Sequence, residues 1–528
     1  METTLDLMTV KEASNWASQY LNRDVTPSNI SYLIQYGRIK KVGENGNTLL
    51  SRDELKEYYS SYNGTREISY TSRLGNDLNW TLSFSQLKEA ERTKHVHRLH
   101  PYKGKFIPQL VEYFLDHHID DFKKDIYFTK GDVILDPFAG SGTTLVQANE
   151  LGMHAIGIDI SSFNTLISNV KTTKCSLPDL YRETNKITKI LEQFVYISGI
   201  NDFQNKLDSA LYEFNTRFFP SPDFKRKVNT HQINEFEYGL EKAAEFEHIF
   251  YSLVDVYRVQ IKQTLGNSFI DKWYVAQIRQ EIDLVRNLIE EIQDINIRNV
   301  ITVILSRTTR SCRATTHFDL ATLKEPVFST YYCHKHGKIC KPLFSILTWW
   351  KRYCEDTIGR LGQFDKLRTD TNQICLTGDS RIINIFDELD RFSPSLGRIA
   401  RNKRIKGIFS SPPYVGLIDY HDQHAYAYDL FNLERKDQFE IGAMATGQGQ
   451  AARKLYVRAI SEVLSNCCKY LQDDFDVFLV ANDKYNLYPL IAENAGMKIV
   501  EQYKRPVLCR TERDKGAYSE TIFHMKVG

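Results

Sequence analysis

The chain has 528 residues, 42% of them hydrophobic and 25% charged, and a formal net charge of +2. This length exceeds one ordinary core and predicts two or three domains, and the composition excludes a disordered, collagen-like or low-complexity chain. Near-neutral charge neither demands nor excludes a nucleic-acid partner. Residues 1–30 mix charge into every turn, unlike a signal peptide, and no run of about 18 uncharged apolar residues follows. Nine cysteines spread over the chain fit free thiols better than a disulfide framework. A cytoplasmic protein with no membrane partner is expected. Local charge says more than the total: residues 301–360 carry ten Lys/Arg against four Asp/Glu, and Arg398, Arg401, Lys403, Arg404 and Lys406 form a second basic run. Each is as readily a solvated face as a phosphate contact.

In chain order, Thr9 caps a helix carrying Val10, Ala13, Trp16 and Ala17. Thr26-Pro27 starts a second helix that Gly37 stops, Ile39 to Leu50 alternates like a two-stranded wing around Glu44-Asn45-Gly46, and Ser51 opens a last helix to Tyr59. This order resembles the winged helix-turn-helix of excisionase and MerR-type proteins. The resemblance implies that the second helix enters a DNA groove; Ser28, Asn29, Ser31, Tyr32 and Gln35 make it polar rather than basic, so a docking module for a partner or for the rest of the chain stays open.

After loop and helix to Phe128, Val133-Ile134-Leu135 reads as a buried strand. A helix runs through Leu151, and a second strand spans His154 to Ile158, completing a βαβ unit. Residues 180 to 300 repeat apolar positions at three and four and read as helices. Strands return at Gln373–Leu376, Ile405–Phe409 and Phe475–Ala481. The expected fold is α/β: a Rossmann-like sheet split by a large, mainly helical insertion, plus the small N-terminal unit. Boundaries are expected at 1–62, 63–175, 176–372 and 373–528, the second and fourth segments forming one domain.

The chemistry starts at Asp136-Pro137-Phe138-Ala139-Gly140-Ser141-Gly142-Thr143-Thr144, between strand and helix. Its glycines let backbone approach a ligand, and the helix N-terminus leaves N–H donors unpaired. It lacks the Gly-Lys-Ser/Thr ending of a phosphate loop. Asp159 ends the next strand, where a carboxylate accepts hydrogen bonds from ribose hydroxyls, and Asp379 follows a later strand in LTGDS. Ser411-Pro412-Pro413-Tyr414 directly follows the Ile405–Phe409 strand. An exocyclic base nitrogen is a poor nucleophile because its lone pair is delocalised; the Ser411 side chain and the Pro412 carbonyl can each accept one N–H and localise that pair. Tyr414 offers a face on which an extruded base stacks.

Together these segments resemble the DNA amino-methyltransferases: DPFAGSGTT their motif I, SPPY their motif IV, and His100-Pro101-Tyr102-Lys103-Gly104-Lys105-Phe106-Ile107-Pro108 their motif X. The resemblance implies S-adenosylmethionine as cofactor, held by Phe106, Asp136, Phe138, Gly140, Ser141, Gly142, Thr143, Asp159 and, at the adenine, Asp379. Ser at the first position of SPPY is associated with N4 of cytosine, Asp with N6 of adenine. The expected activity is therefore N4-cytosine methylation of double-stranded DNA with base flipping, in a restriction-modification or related defence system. The alternatives are N6-adenine methylation, methylation of structured RNA, and a non-catalytic DNA-binding regulator. No Pro-Cys nucleophile accompanies motif I, which disfavours C5 methylation. No nuclease constellation is evident, so a restriction endonuclease is expected as a separate chain. The motif order resembles the alpha arrangement, which places target recognition in the insertion and makes Arg307, Arg310 and Arg313 candidate DNA contacts.

Cys333, His336 and Cys340, with Cys312 upstream and His334 as another candidate, have the ligand types of a zinc site. Their spacing is not a paired Cys-x-x-Cys set; buried or unpaired thiols are the favoured reading, and no metal is assigned. His421 and His424 are expected in a loop near the base pocket rather than as metal ligands.

Overall fold

Short apolar runs, each followed by a turn or helix signal, set the architecture. A computed structural model describes residues 6–21, 25–35, 39–42, 48–60, 78–84, 87, 89–263, 266, 268–319, 323–507 and 518–528. Near the N-terminus, β1 (Leu7–Thr9) pairs antiparallel with β2 (Leu49–Ser51). Thr9 caps helix Val10–Tyr20 in a capping box: its hydroxyl accepts from the Glu12 N–H at 3.2 Å, and Glu12 Oε2 accepts from the Thr9 N–H at 2.9 Å. Thr26 exchanges the same kind of bonds with Asn29 at the start of Pro27–Gln35, and 52–60 is helical. Ala13, Ala17, Ile30, Leu50 and Leu55 fill the centre of this unit. The expected two-stranded wing is changed in one respect: β2 faces Val42, whose N–H donates to the Leu49 carbonyl at 2.7 Å, and also pairs with β1. Gly37 and the turn Glu44-Asn45-Gly46 lie outside the described residues.

Two strands of the main sheet follow, β3 (Val133–Asp136) and β4 (His154–Asp159), joined through helix Thr143–Glu150. A small hairpin, β5 (Tyr331–Cys333) and β6 (Lys338–Cys340), comes next, then β7 (Gln373–Thr377), β8 (Ile405–Ser410), β9 (Leu471–Ala481), β10 (Met497–Pro506) and β11 (Ser519–Val527). Seven of these form one sheet in the order β10-β11-β9-β8-β3-β4-β7. Six run one way and β11 runs against its neighbours β9 and β10. This is a mixed α/β fold with a mostly parallel sheet.

Both faces of the sheet are covered, as a parallel sheet requires. Val133, Leu135, Ile156, Ile158, Val477 and Leu479 point to one side, with residues of helices Ile385–Phe392, Pro394–Lys403, Gln450–Cys468 and Tyr488–Asn494. Ile134, Ala155, Phe409, Phe478 and Val480 point to the other, against helices Pro108–Leu115 and Thr143–Glu150. The two sets alternate along each strand, the period-two signature of a pleated strand.

Between β4 and β7 the chain runs mainly through helices, the longest being Leu177–Ile197, Ile200–Phe218, Glu235–Tyr257, Ile295–Ser311 and Leu347–Asp365. Their core is continuous with Phe163, Ile167 and Val170 of helix Ser162–Thr172 and with Tyr426–Leu430, so this segment packs onto the helix that follows β4. The chain leaves β3 toward β4 on one side, and β8 pairs on the other. A crevice opens at that reversal beyond the carboxyl ends of the strands.

Gly407 pairs with Ile134 on one side of β8 and with Asp476 on the other. A Cβ there would overlap the Asp476 carbonyl and come within 2.9 Å of the Phe128 ring. Gly407→Ala is therefore expected to cost roughly 1–3 kcal/mol by overpacking, read as a lower denaturation midpoint at unchanged m-value; an unchanged midpoint contradicts this packing.

Candidate cofactor pocket and catalytic loop

Three strand ends build the site. At the end of β3, Asp136 turns inward and is only 1% exposed. Its Oδ1 accepts from the Phe138 N–H at 3.1 Å and from the Ser410 hydroxyl at 2.5 Å. Asp136, expected at the cofactor, thus stands behind the pocket wall, where it ties the motif I turn to the last residue of β8. Burial pushes its carboxyl up to about 6. Gly142 also stands behind the wall: it caps helix Thr143–Glu150 at φ 74°, and a Cβ there would lie 2.9 Å from Ser168.

The pocket itself is lined by Phe138, Gly140, Ser141 and Thr143 from this turn, and by Asp159 at the end of β4. Asp159 Oδ2 accepts from the Gly140 N–H at 2.8 Å, while Oδ1 accepts from the Ser161 N–H at 2.9 Å and the Asn164 amide at 3.1 Å. Desolvation raises its carboxyl to about 6 against these bonds. Phe106 closes another side, its ring edge-on to Phe409 at 5.6 Å. Tyr102 lies so close to Gly140 (φ +50°) that a Cβ there would meet its hydroxyl at 2.9 Å, which is why this position needs glycine. Asp379 lines the pocket, but its carboxylate is held by Arg381 at 2.6 Å.

The expected S-adenosylmethionine fits this wall. Ser141 Oγ and Asn164 Oδ1 are buried and without a hydrogen-bond partner, and buried polar atoms of this kind call for one. Ribose hydroxyls and an α-ammonium are donors that match them, and the Asp159 carboxylate suits a cationic ligand.

Ser411 and Pro413 line the same pocket, which brings the end of β8 to the motif I turn. The Ser411 hydroxyl donates to the Val480 carbonyl at 3.0 Å, so its lone pairs remain free to accept. Pro412 is buried. Tyr414 faces a neighbouring hollow with Asn482, Tyr485, Lys504 and Tyr518, its hydroxyl donating to Glu520 at 2.9 Å.

A third hollow, a cleft between the helical segment and the catalytic loops, is lined by Lys103, Lys272, Arg310, Arg313 and Arg435, with Asp419, Asp422 and Asp429 among its walls. Burial, then the charges of Arg310 and Arg313, lower the Lys103 ammonium, so three cations converge there. Arg307, expected with Arg310 and Arg313, is not among the residues lining this cleft: its guanidinium pairs with Asp356 at 2.5 Å and lies 4.0 Å over the Tyr353 ring.

His421 and His424, expected in a loop, are both buried, His421 within the short helix Tyr420–Gln423 and His424 between it and helix Ala425–Leu430. His421 pairs with Glu440; His424 packs against Phe163 and His100, and burial pushes it down to about 3, so it is neutral. Tyr420, Phe439 and Ile441 also line the cofactor pocket. Nothing in the sequence singled them out, whereas Tyr102 stood inside a segment already recognised.

Because the Asp159 carboxyl holds its proton up to about pH 6, a ligand that needs the ionised form must displace that proton. Affinity for S-adenosylmethionine is expected to be flat above about pH 7 and to weaken as pH falls through 6, by at most about tenfold per unit. Asp159→Asn should raise Kd roughly ten- to a hundred-fold at high pH, the worth of hydrogen bonds to a charged acceptor, and flatten the profile. Calorimetric titration checks both; an unaltered pH profile in the variant contradicts this placement.

Comparison with known proteins supports the same assignment. Residues 9–169 match the N6/N4 methylase family, described as DNA methylase. Over 526 residues the chain is 43% identical to the type II methyltransferase M.MjaII of Methanocaldococcus jannaschii, covering 99% of this chain and 97% of that protein. Shorter stretches are 33% identical to the type II methyltransferase M.BsoBI of Geobacillus stearothermophilus over 117 residues, 21% of each chain, and 29% identical to M.MvaI of Kocuria varians over 161 residues, 30% of each chain. No solved structure matches the chain. With a near full-length relative at this identity, the chain belongs to the N6/N4 DNA methylases, as a type II methyltransferase of a restriction-modification system that uses S-adenosylmethionine.

Proposed function

We propose that this methyltransferase modifies the exocyclic N4 of cytosine in duplex DNA, at a base turned out of the helix. The observation that carries the reading is Ser411-Pro412-Pro413-Tyr414 at the end of β8, with Ser411 and Pro413 on the wall of the cofactor pocket. When bound there, S-adenosylmethionine supplies an electrophilic methyl group. The chain's part is to hold that group and to prepare the nitrogen.

Phe138, Gly140, Ser141, Asp159 and Phe106 hold and orient the cofactor; Thr143, the first residue of helix Thr143–Glu150, lines the same wall. Asp136 acts as a positioning residue through Phe138 and Ser410. Ser411, its own proton committed to Val480, accepts one N–H of the amine, and the Pro412 carbonyl accepts the other. Both bonds favour a pyramidal nitrogen whose lone pair faces the methyl group, an interaction stronger in the transition state than before it. Tyr414 stacks on the extruded base, with its ring fixed by the Glu520 bond. Asp379, already paired with Arg381, contributes its backbone turn to the adenine end of the pocket.

In this reading the cleft beside the pocket takes the DNA backbone, with Arg310, Arg313 and Lys103 meeting phosphates. The segment 176–372 contributes target recognition between the two halves of the catalytic domain, 63–175 and 373–528. The N-terminal unit, 1–62, is a winged helix that adds DNA contacts. The cognate endonuclease is a separate chain.

Incubation of the protein with unmethylated duplex DNA and labelled S-adenosylmethionine, followed by digestion and mass spectrometry, is expected to yield N4-methylcytosine. N6-methyladenine would keep the mechanism and overturn the base assignment. Ser411→Ala is expected to lower kcat by about 10²- to 10³-fold with cofactor Kd unchanged, and Tyr414→Ala to weaken productive binding of DNA; unaltered turnover in both contradicts the mechanism.

A further inference from the structure

We propose that His317, Cys333, His336 and Cys340 form a structural zinc site that fastens the β5–β6 hairpin to the loop leaving helix Ile295–Ser311. These four residues each offer a ligand atom, and all four atoms lie within 4.8 Å of one another. Cys333 Sγ is 3.5 Å from His336 Nδ1 and 3.9 Å from His317 Nδ1, and His336 Nδ1 is 3.4 Å from Cys340 Sγ. A tetrahedral ion with Zn–S of about 2.3 Å and Zn–N of about 2.0–2.1 Å separates its sulfur and nitrogen ligands by roughly 3.5 Å, close to what the side chains adopt. Two thiolates and two imidazoles in this arrangement select zinc over magnesium or calcium, which take oxygen ligands. Among the described residues, no carboxylate belongs to the cluster.

The backbone is built for the site. Cys333 ends β5, and its carbonyl accepts from the N–H groups of His336 and Gly337, at 3.1 and 2.7 Å; this tight turn returns the chain at Gly337 (φ +61°) and presents His336 between the two sulfurs. Asn215 clamps β6 from the helix below, donating to the Ile339 carbonyl at 3.0 Å and accepting its N–H at 2.9 Å. His317 arrives from a different segment, its N–H donating to the Tyr331 hydroxyl at 3.0 Å. Two strands of three residues cannot hold such a hairpin by themselves, and a closed metal site contributes folding free energy directly.

Cys312, grouped with these ligands by sequence spacing, is not one of them: it caps helix Ile295–Ser311 and is fully buried in the helical core. His334 also stands apart, exposed and 3.5 Å from Glu235. The site lies in the segment just after Arg310 and Arg313, and it stands independently of which base is methylated.

Elemental analysis of the reduced full-length protein, purified without metal-affinity resin, is expected to find about one zinc per chain. Cys340→Ser and His317→Ala should lose it, whereas Cys312→Ser and His334→Ala keep it. Replacement of the metal in the wild-type protein by cobalt(II) should give the visible d–d and thiolate charge-transfer bands of a tetrahedral site, a readout that does not depend on how the variants fold. Chelation should also expose the amides of 331–340 to hydrogen exchange while leaving cofactor affinity unchanged. Wild-type protein that retains no zinc and develops no such bands with cobalt overturns the proposal, as does full retention of zinc by Cys340→Ser.

Discussion

A hydrogen bond of 2.5 Å from the Ser410 hydroxyl to Asp136 joins two strand ends that stand 274 residues apart in the chain. It is possible only because β8 pairs directly with β3, Ile134 beside Gly407 and Leu135 beside Ile408. That pairing sets the turn Phe138–Thr143 and the loop beginning at Ser411 side by side along the carboxyl edge of the sheet, at two interior strands. The bond is also costly to lose, since a buried carboxyl deprived of its donors carries a desolvation penalty of several kcal/mol. Asp136 therefore ties the turn after β3 to the end of β8.

The same economy of contacts joins the helical segment to this edge. His100, from the stretch before β3, lies 3.1 Å from both the Ser306 hydroxyl of helix Ile295–Ser311 and the Tyr426 hydroxyl after the catalytic loop. Burial keeps His100 well below the usual imidazole range, so the junction carries no charge of its own at neutral pH. Helix Ile295–Ser311 can then bring Arg310 to the cleft wall while its neighbour Arg307 is neutralised internally by Asp356. Cations on the cleft wall suit a polyanionic substrate such as DNA.

Much of this was legible in the sequence, for physical reasons that differ from element to element. Buried parallel strands are continuous apolar runs with abrupt ends, so the runs at Val133, His154, Gln373 and Ile405 coincide with β3, β4, β7 and β8. The cofactor turn was legible because glycine and a helix start leave few alternatives: Gly140 and Gly142 do adopt positive φ. β10 and β11 went unread because they lie at one side of the sheet; Lys498, Glu501 and Gln502 break the apolar pattern of β10. The β5–β6 hairpin, three residues a side, was hidden in a segment dominated by helical periodicity. Side-chain direction was the least accessible quantity. Asp136 facing inward, Arg307 held by Asp356, and His317 rather than Cys312 beside Cys333 all depend on partners that the fold supplies from elsewhere, while Asp379 turns to its near neighbour Arg381.

The central claim is that two loops from different strands form one site in which the methyl donor faces Ser411. A crystal structure of the protein with S-adenosylmethionine bound tests it most directly. The account predicts the ribose on Asp159, the methionine end against Phe138 to Ser141 and Phe106, and the sulfonium methyl directed at the space between Ser411 and Tyr414. A cofactor bound with its methyl group turned away from Ser411, or held outside this pocket, would contradict it.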